Sequence, residues 1–192
     1  MRFAKSQVLW VACANDMRLK VAGWFAFFLV TVLTCAGTAY ATDISGTIAT
    51  TLTIMDNSRL VGDVTCTVTG APCIAFGAPG LTLDLNGYHV TGLADPSMTC
   101  SSGPTALTPG ATEDGIDLGA QAVNATVLGP GIVQMFRGPG IWALMAGSLT
   151  VTGVTVANNC ASGILVGGGS NHNISNNVSV RNGSRTFACG GI

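Results

Sequence analysis

The stretch "SGILVGGGSNHNISNNVSVRNG", Ser162–Gly183, decides how the rest of the chain is read. It holds five glycines, five asparagines and a single charged residue, Arg181. Taken alone, this composition describes a flexible linker, too poor in apolar surface to fold. Yet Ile164, Val166, Ile174, Val178 and Val180 punctuate it at intervals that a linker has no reason to keep.

Two upstream segments can be laid above it: "DGIDLGAQAVNATVLGPGIVQMFRG" from Asp114 and "PGIWALMAGSLTVTGVTVANNCA" from Pro139. Gly-Ile pairs open the units at Gly115, Gly140 and Gly163, and a fourth opens as "GGI" at Gly190–Ile192. Each unit carries three short apolar runs. The first runs through Ile116/Leu118, Ile141/Leu144 and Ile164/Val166, and the second through Ala125/Val127, Leu149/Val151 and Ile174. The third begins at Ile132 and continues at Val154/Val156 and Val178/Val180. Alternation with period two over a few residues predicts short strands with one buried face. Three such runs per unit of about two dozen residues predict one turn of a parallel β-helix. The fold class is therefore all-β, a parallel solenoid of about four to five coils. Glycine and asparagine become corner residues, because they adopt left-handed backbone at least cost, and stacked asparagines can form amide ladders.

The pattern extends upstream. "APCIAFGAPGLTLDLNGYHVTG", Ala71–Gly92, aligns Ile74 with Ile141 and Leu81-Thr82-Leu83 with Leu149-Thr150-Val151. The strand-rich segment from Ser45 to Gly70 is expected to cap the N-terminal end of the core. Residues 93–112 contain three prolines and no periodicity, which predicts an excursion loop. The chain stops at "CGGI" as another unit opens, so the C-terminal end is expected to be uncapped, either as a fragment or as a surface for self-association.

Residues 1–41 read differently. From Met17, Arg18 and Lys20 precede an apolar run, Val21–Ala36, and Ala39-Tyr40-Ala41 has the form of a cleavage site. This is the pattern of a secretory signal over 17–41, with 1–16 as an N-terminal extension, and the run is shorter than the ~20 residues of a membrane span. The expected mature domain is 42–192, and its expected location is secreted, periplasmic or cell-surface, with no stable membrane span. That domain contains no lysine, and its eight carboxylates outnumber four arginines, for a net charge of about −4. With no basic patch, nucleic acid is excluded as a partner.

The Gly-Ile starts, the "LTVTGVTVANN" pattern of Leu149–Asn159 and the secretory signal resemble right-handed parallel β-helix proteins of the pectin-lyase-like superfamily. The resemblance covers about Ser45 to Ile192. It implies a right-handed solenoid. The superfamily includes pectate lyases, polygalacturonases, other polysaccharide-active enzymes and many secreted proteins without known activity. The paired-aspartate, Gly-His and Arg-x-Lys motifs of polygalacturonases and the calcium-aspartate signature of pectate lyases have no match in this chain.

Cys160 precedes "ASGI" and Cys189 precedes "GGI", so the two occupy similar corners of adjacent turns. Adjacent strands lie about 4.8 Å apart, a separation that a disulfide accepts, which predicts a Cys160–Cys189 bond. Cys66 and Cys73 flank the turn "TVTGAP" and form the second expected pair, leaving Cys100 over. Without a C-x-x-C pair and with only His89 and His172 available, no metal site is expected from the cysteines.

The best cluster of chemistry-bearing residues is "TEDGIDLG". Glu113, Asp114 and Asp117 are the candidate catalytic carboxylates, able to serve as an acid–base pair for glycoside hydrolysis or to bind Ca²⁺ if they converge. No other cofactor is implied. With Ile116 and Leu118 inward, Asp117 points outward and shares a column with Trp142 and Leu165. An exposed Trp142 beside Asp117 would stack on a sugar ring, and Arg137 would meet a uronate, so these three are the candidate binding residues. The functional expectation is a secreted β-helix that binds an extracellular polysaccharide along its outer face. The alternatives are a polysaccharide lyase or glycoside hydrolase, and a non-enzymatic surface or matrix scaffold. Asn124, Asn173, Asn177 and Asn182 head glycosylation-type triplets.

Overall fold

The structure, a computed structural model, describes residues 42–94, 113–144 and 147–183. The signal segment, most of the excursion loop, Cys100 and residues 184–192, including Cys189 and the expected uncapped end, lie outside the described residues. In chain order the strands are β1 (Thr42–Ile48), β2 (Leu52–Ile54), β3 (Ser58–Cys66), β4 (Ile74–Phe76) and β5 (Thr82–Asp84). These are followed by β6 (His89–Thr91), β7 (Ile116–Asp117), β8 (Thr126–Leu128), β9 (Ile132–Gln134) and β10 (Ile141–Leu144). The last are β11 (Thr150–Thr152), β12 (Thr155–Ala157), β13 (Ile164–Gly167), β14 (Asn173–Ser175) and β15 (Val178–Val180).

Every strand pairing is parallel. One sheet runs β13-β10-β7-β4-β2. The other runs β14-β11-β8-β5-β3-β6-β9-β12-β15, with β1 paired to β3. In the second sheet β3 is the hinge: Ser58 and Arg59 pair with β5, while Val64 and Thr65 pair with β6. Successive turns of the chain therefore add one strand to each of three walls, the arrangement of a β-helix solenoid. Its order is consistent with the right-handed sense that parallel crossovers strongly prefer. The sequence reading of an all-β parallel solenoid is the fold observed.

The interior follows from the alternation. Leu52, Ile74, Ile116, Ile141 and Ile164 form one register column, and the four isoleucines are fully buried. Leu83, Val127 and Val151 make a second column, and Val90, Val133 and Val156 a third. All of these belong to a single apolar core. The Gly-Ile openings have a steric cause. A Cβ on Gly115 would lie 2.5 Å from the Gly140 carbonyl oxygen, and one on Gly140 would lie 2.7 Å from Asn159 Nδ2. The turns stack too closely there for any side chain.

Asparagine works as predicted. Asn158 and Asn176 hold left-handed backbone at corners, with φ of 55° and 57°. Asn159 is buried, and its amide bridges turns: Phe136 N–H donates to Oδ1 at 3.0 Å, and Nδ2 donates to the Val133 carbonyl at 3.2 Å. One turn on, Asn182 repeats the pattern, accepting from Asn159 N–H and donating to the Val156 carbonyl, both at 2.9 Å. Asn177 does the same at another corner, accepting from Val154 N–H and donating to the Val151 carbonyl. The amides of Asn177 and Asn182 are thus committed to the ladder, whereas Asn124 and Asn173 are exposed.

Two strands depart from the sequence reading. Val178 pairs with Thr155 and Val180 with Ala157, both outward positions, so Ser179 is the residue that lies beside the inward Val156. Ile132 is likewise outward, with Val133 filling the core. In β9 and β15 the inward face is thus the opposite of the one expected, since in a structure of period two a shift of one residue exchanges the faces, whereas Val154 and Val156 of the middle unit are buried as expected.

Cys66 and Cys73 form the expected disulfide, with a Cα separation of 5.9 Å. Cys160 is also disulfide-bonded, and its partner lies outside the described residues. No helix among the described residues is long and apolar enough to cross a membrane.

Candidate functional site

The three carboxylates of "TEDGIDLG" do not form one cluster. Glu113 Oε1 accepts from Arg137 Nη1 at 3.1 Å and from the Gly70 backbone N–H at 2.9 Å. It ties the Gly70 turn to the corner after β9, and both it and Arg137 are engaged within the chain. Asp114 is fully buried. Its Oδ1 abuts Gly138 and its backbone carbonyl accepts from Cys73 N–H, so it is not a solvated corner residue. Asp114 stands two residues before the inward Ile116, on the same side of the alternation. Among the described residues, no three His, Cys, Asp or Glu side chains converge as a cation site, so the candidate Ca²⁺ donors Glu113, Asp114 and Asp117 are not assembled.

Asp117 does occupy the outward column predicted for it, beside Ala75 on one side and Trp142 on the other, with Leu165 beyond. Burial raises the Asp117 pKa above the ordinary carboxylate value, and its Oδ1 lacks a hydrogen-bond partner. A carboxylate in that setting holds its proton to higher pH than an exposed aspartate, because the low-dielectric surroundings disfavour charge. Trp142 corrects the sequence reading. It projects from the outer side of β10 yet keeps only 8% exposure, so its ring presents no open face for a sugar. Outward projection and solvent exposure are separate properties, and periodicity reports only the first.

A small cleft lies near this corner, lined by Cys66, Cys73, Leu93, Glu113, Phe136 and Arg137 among others. Its volume is about 10 Å³, which is room for one water at most and none for a sugar. Beyond this cleft, the described residues present the outer faces of the solenoid.

The wall made by β5, β8, β11 and β14 offers such a face. With Leu83, Val127, Val151 and Ile174 inward, the outward positions form two columns in unbroken register. The first is Thr82, Thr126, Thr150 and Asn173; the second is Asp84, Leu128, Thr152 and Ser175. Asn173 is exposed and the other seven are half-buried. Successive members are spaced by the strand separation of about 4.8 Å. Ser175 Oγ donates to Thr152 Oγ1 at 3.3 Å, one turn away.

A scan against protein-family models, a search of curated proteins and a search of solved structures each found no match. The reading of this site therefore rests on its chemistry. The wall of β6, β9, β12 and β15 lacks the same regularity, because its outward columns mix His89, Ile132, Thr155 and Val178, and Thr91, Gln134, Ala157 and Val180. The hydroxyl columns were present in the sequence as "TLD", "TVL", "TVT" and "NIS", but attention to the inward residue of each triplet passes over its two neighbours.

Proposed function

We propose that this protein is a secreted, periplasmic or cell-surface β-helix that binds an extracellular polysaccharide along its outer β5–β8–β11–β14 wall. The observation that supports the reading is the register of Thr82, Thr126, Thr150 and Asn173, with Thr152 and Ser175 beside them. A threonine offers a hydroxyl donor, hydroxyl acceptors and a methyl group on one short, stiff side chain. A sugar ring presents hydroxyls at its rim and C–H groups on its face, so a straight row of threonines complements an extended chain of such rings. Binding is preferred to turnover because Glu113 is held by Arg137 and Gly70 N–H, and Asp114 is buried.

Retention on a panel of insoluble polysaccharides tests this, with Thr126→Val and Thr150→Val combined. Each lost hydrogen bond is worth ~0.5–1.5 kcal/mol, so the pair is expected to weaken binding about tenfold while leaving the folded β spectrum intact. A reducing-sugar assay on the retained fraction is expected to show no product. Binding that ignores both substitutions would overturn the assignment to this wall, and product release would make the protein an enzyme.

A further inference from the structure

We infer that the polymer this wall takes is uncharged, a neutral extended polysaccharide and not a polyuronate. The inference rests on the binding reading above and concerns the charge that the site can accept.

Receiving a row of carboxylates requires cations that are free to face them. Residues 42–192 contain no lysine and four arginines, of which Arg185 lies outside the described residues. The other three are engaged within the chain. Arg59 Nε meets Asp43 Oδ1 at 2.7 Å, Arg137 Nη1 meets Glu113 Oε1 at 3.1 Å, and Arg181 Nε donates to Asn158 Oδ1 at 2.9 Å. Arg59 stands beside Asp84 at the β3 end of the second column, where the carboxylates of Asp43 and Asp84 both act on its charge, and Arg137 and Arg181 belong to neither column. From β5 to β14 the single ionisable residue in those columns is Asp84, whose Oδ1 accepts from Asn86 N–H and whose charge would repel a uronate. The surrounding domain is also net negative, by about four charges. Local and long-range electrostatics therefore both oppose an anionic chain. The remaining members of the wall are neutral: threonine, serine and asparagine supply polar contacts, and Leu128 supplies an apolar one. Such a surface loses little on shedding its own water and makes contacts that salt does not screen.

Retention of the full chain on cellulose, xylan and mannan, compared with a polygalacturonate gel, tests the inference at low and high salt and with or without calcium ions. The expected result is retention on at least one neutral polymer, unchanged by salt, and none on polygalacturonate. Asn173→Lys places a cation at the exposed end of the first column and is expected to raise polygalacturonate retention about tenfold at low salt, with high salt removing the gain. Thr152→Lys, in the second column, is expected to act in the same direction, and circular dichroism verifies the fold of each variant. If the unaltered protein holds polygalacturonate, in calcium or without it, and the paired threonine substitutions release it, the inference of neutrality falls while the binding reading stands. If it is retained on no polymer, both fall.

Discussion

Strands β12 and β15 are three residues long, lie side by side in register, and have opposite polarity. In β12 the inward residue is Val156, fully buried, with Thr155 and Ala157 outward. In β15 the inward residue is Ser179, while Val178 and Val180 stand outward with 52% and 36% exposure. The corner explains how the inversion is tolerated. Asn177 accepts from the Val154 backbone N–H and donates to the Val151 carbonyl, which fixes where β15 starts. Ser179 Oγ then accepts from Asn182 Nδ2 at 3.0 Å, so the inward polar atom has a partner. Hydrophobic burial sets the register of the middle turns. In the last described turn, directional amide bonds set it against the apolar pattern.

That difference predicts unequal penalties for the same deletion. Ile141→Ala removes a fully buried side chain flanked by Ile116 and Ile164 and is expected to destabilise by about 4 kcal/mol. Ile174→Ala, in the last described turn where the side chain is only partly buried, is expected to lose about 1.5 kcal/mol. Equal losses in urea unfolding would show that both turns are held by apolar packing alike. The amides divide the same way with smaller amplitude. Asn159→Ala strips partners from the Phe136 N–H and the Val133 carbonyl in a buried setting, and about 3 kcal/mol of destabilisation is expected. Asn177→Ala frees two backbone groups at a part-buried corner, where water can replace the amide, and about 1.5 kcal/mol is expected. A larger loss at Asn177 than at Asn159 would reverse the comparison.

The sequence disclosed the middle of the molecule better than its edges, for a physical reason. The isoleucine column, the glycine openings and the left-handed asparagine corners all arise from steric rules that repeat each turn, so they leave a periodic trace. The Cys66–Cys73 bond was legible because both cysteines flank one turn. Periodicity carries no information about what covers an outward residue, so it left open whether Trp142 is exposed or covered, and Trp142 is buried. It also does not fix the zero of the alternation. A valine-serine-valine triplet scores as apolar whichever face it presents, and only the Asn177 bonds decide. The candidate site was legible only in part: Asp117 and Trp142 share the predicted column, but the burial of Asp114 and the Arg137 contact of Glu113 come from pairs distant in sequence. The hydroxyl wall becomes visible once register stacks four unremarkable triplets.

The smallest expected effect is the most discriminating. If β15 is positioned by its corner, the exposed valines add little to stability, because they gain little burial on folding. Val178→Ser with Val180→Ser is then expected to change unfolding free energy by no more than about 0.5 kcal/mol, as for surface positions generally. If instead the valines anchor the strand, the same pair of substitutions would remove two apolar anchors and unfold the last described turn ahead of the others. Hydrogen exchange at Val178 N–H, which bonds the Val154 carbonyl at 2.9 Å, separates the two cases. Protection equal to that of the unaltered protein supports corner control. A collapse of protection confined to β15 would mean that apolar contacts, not amides, hold the inverted strand in place.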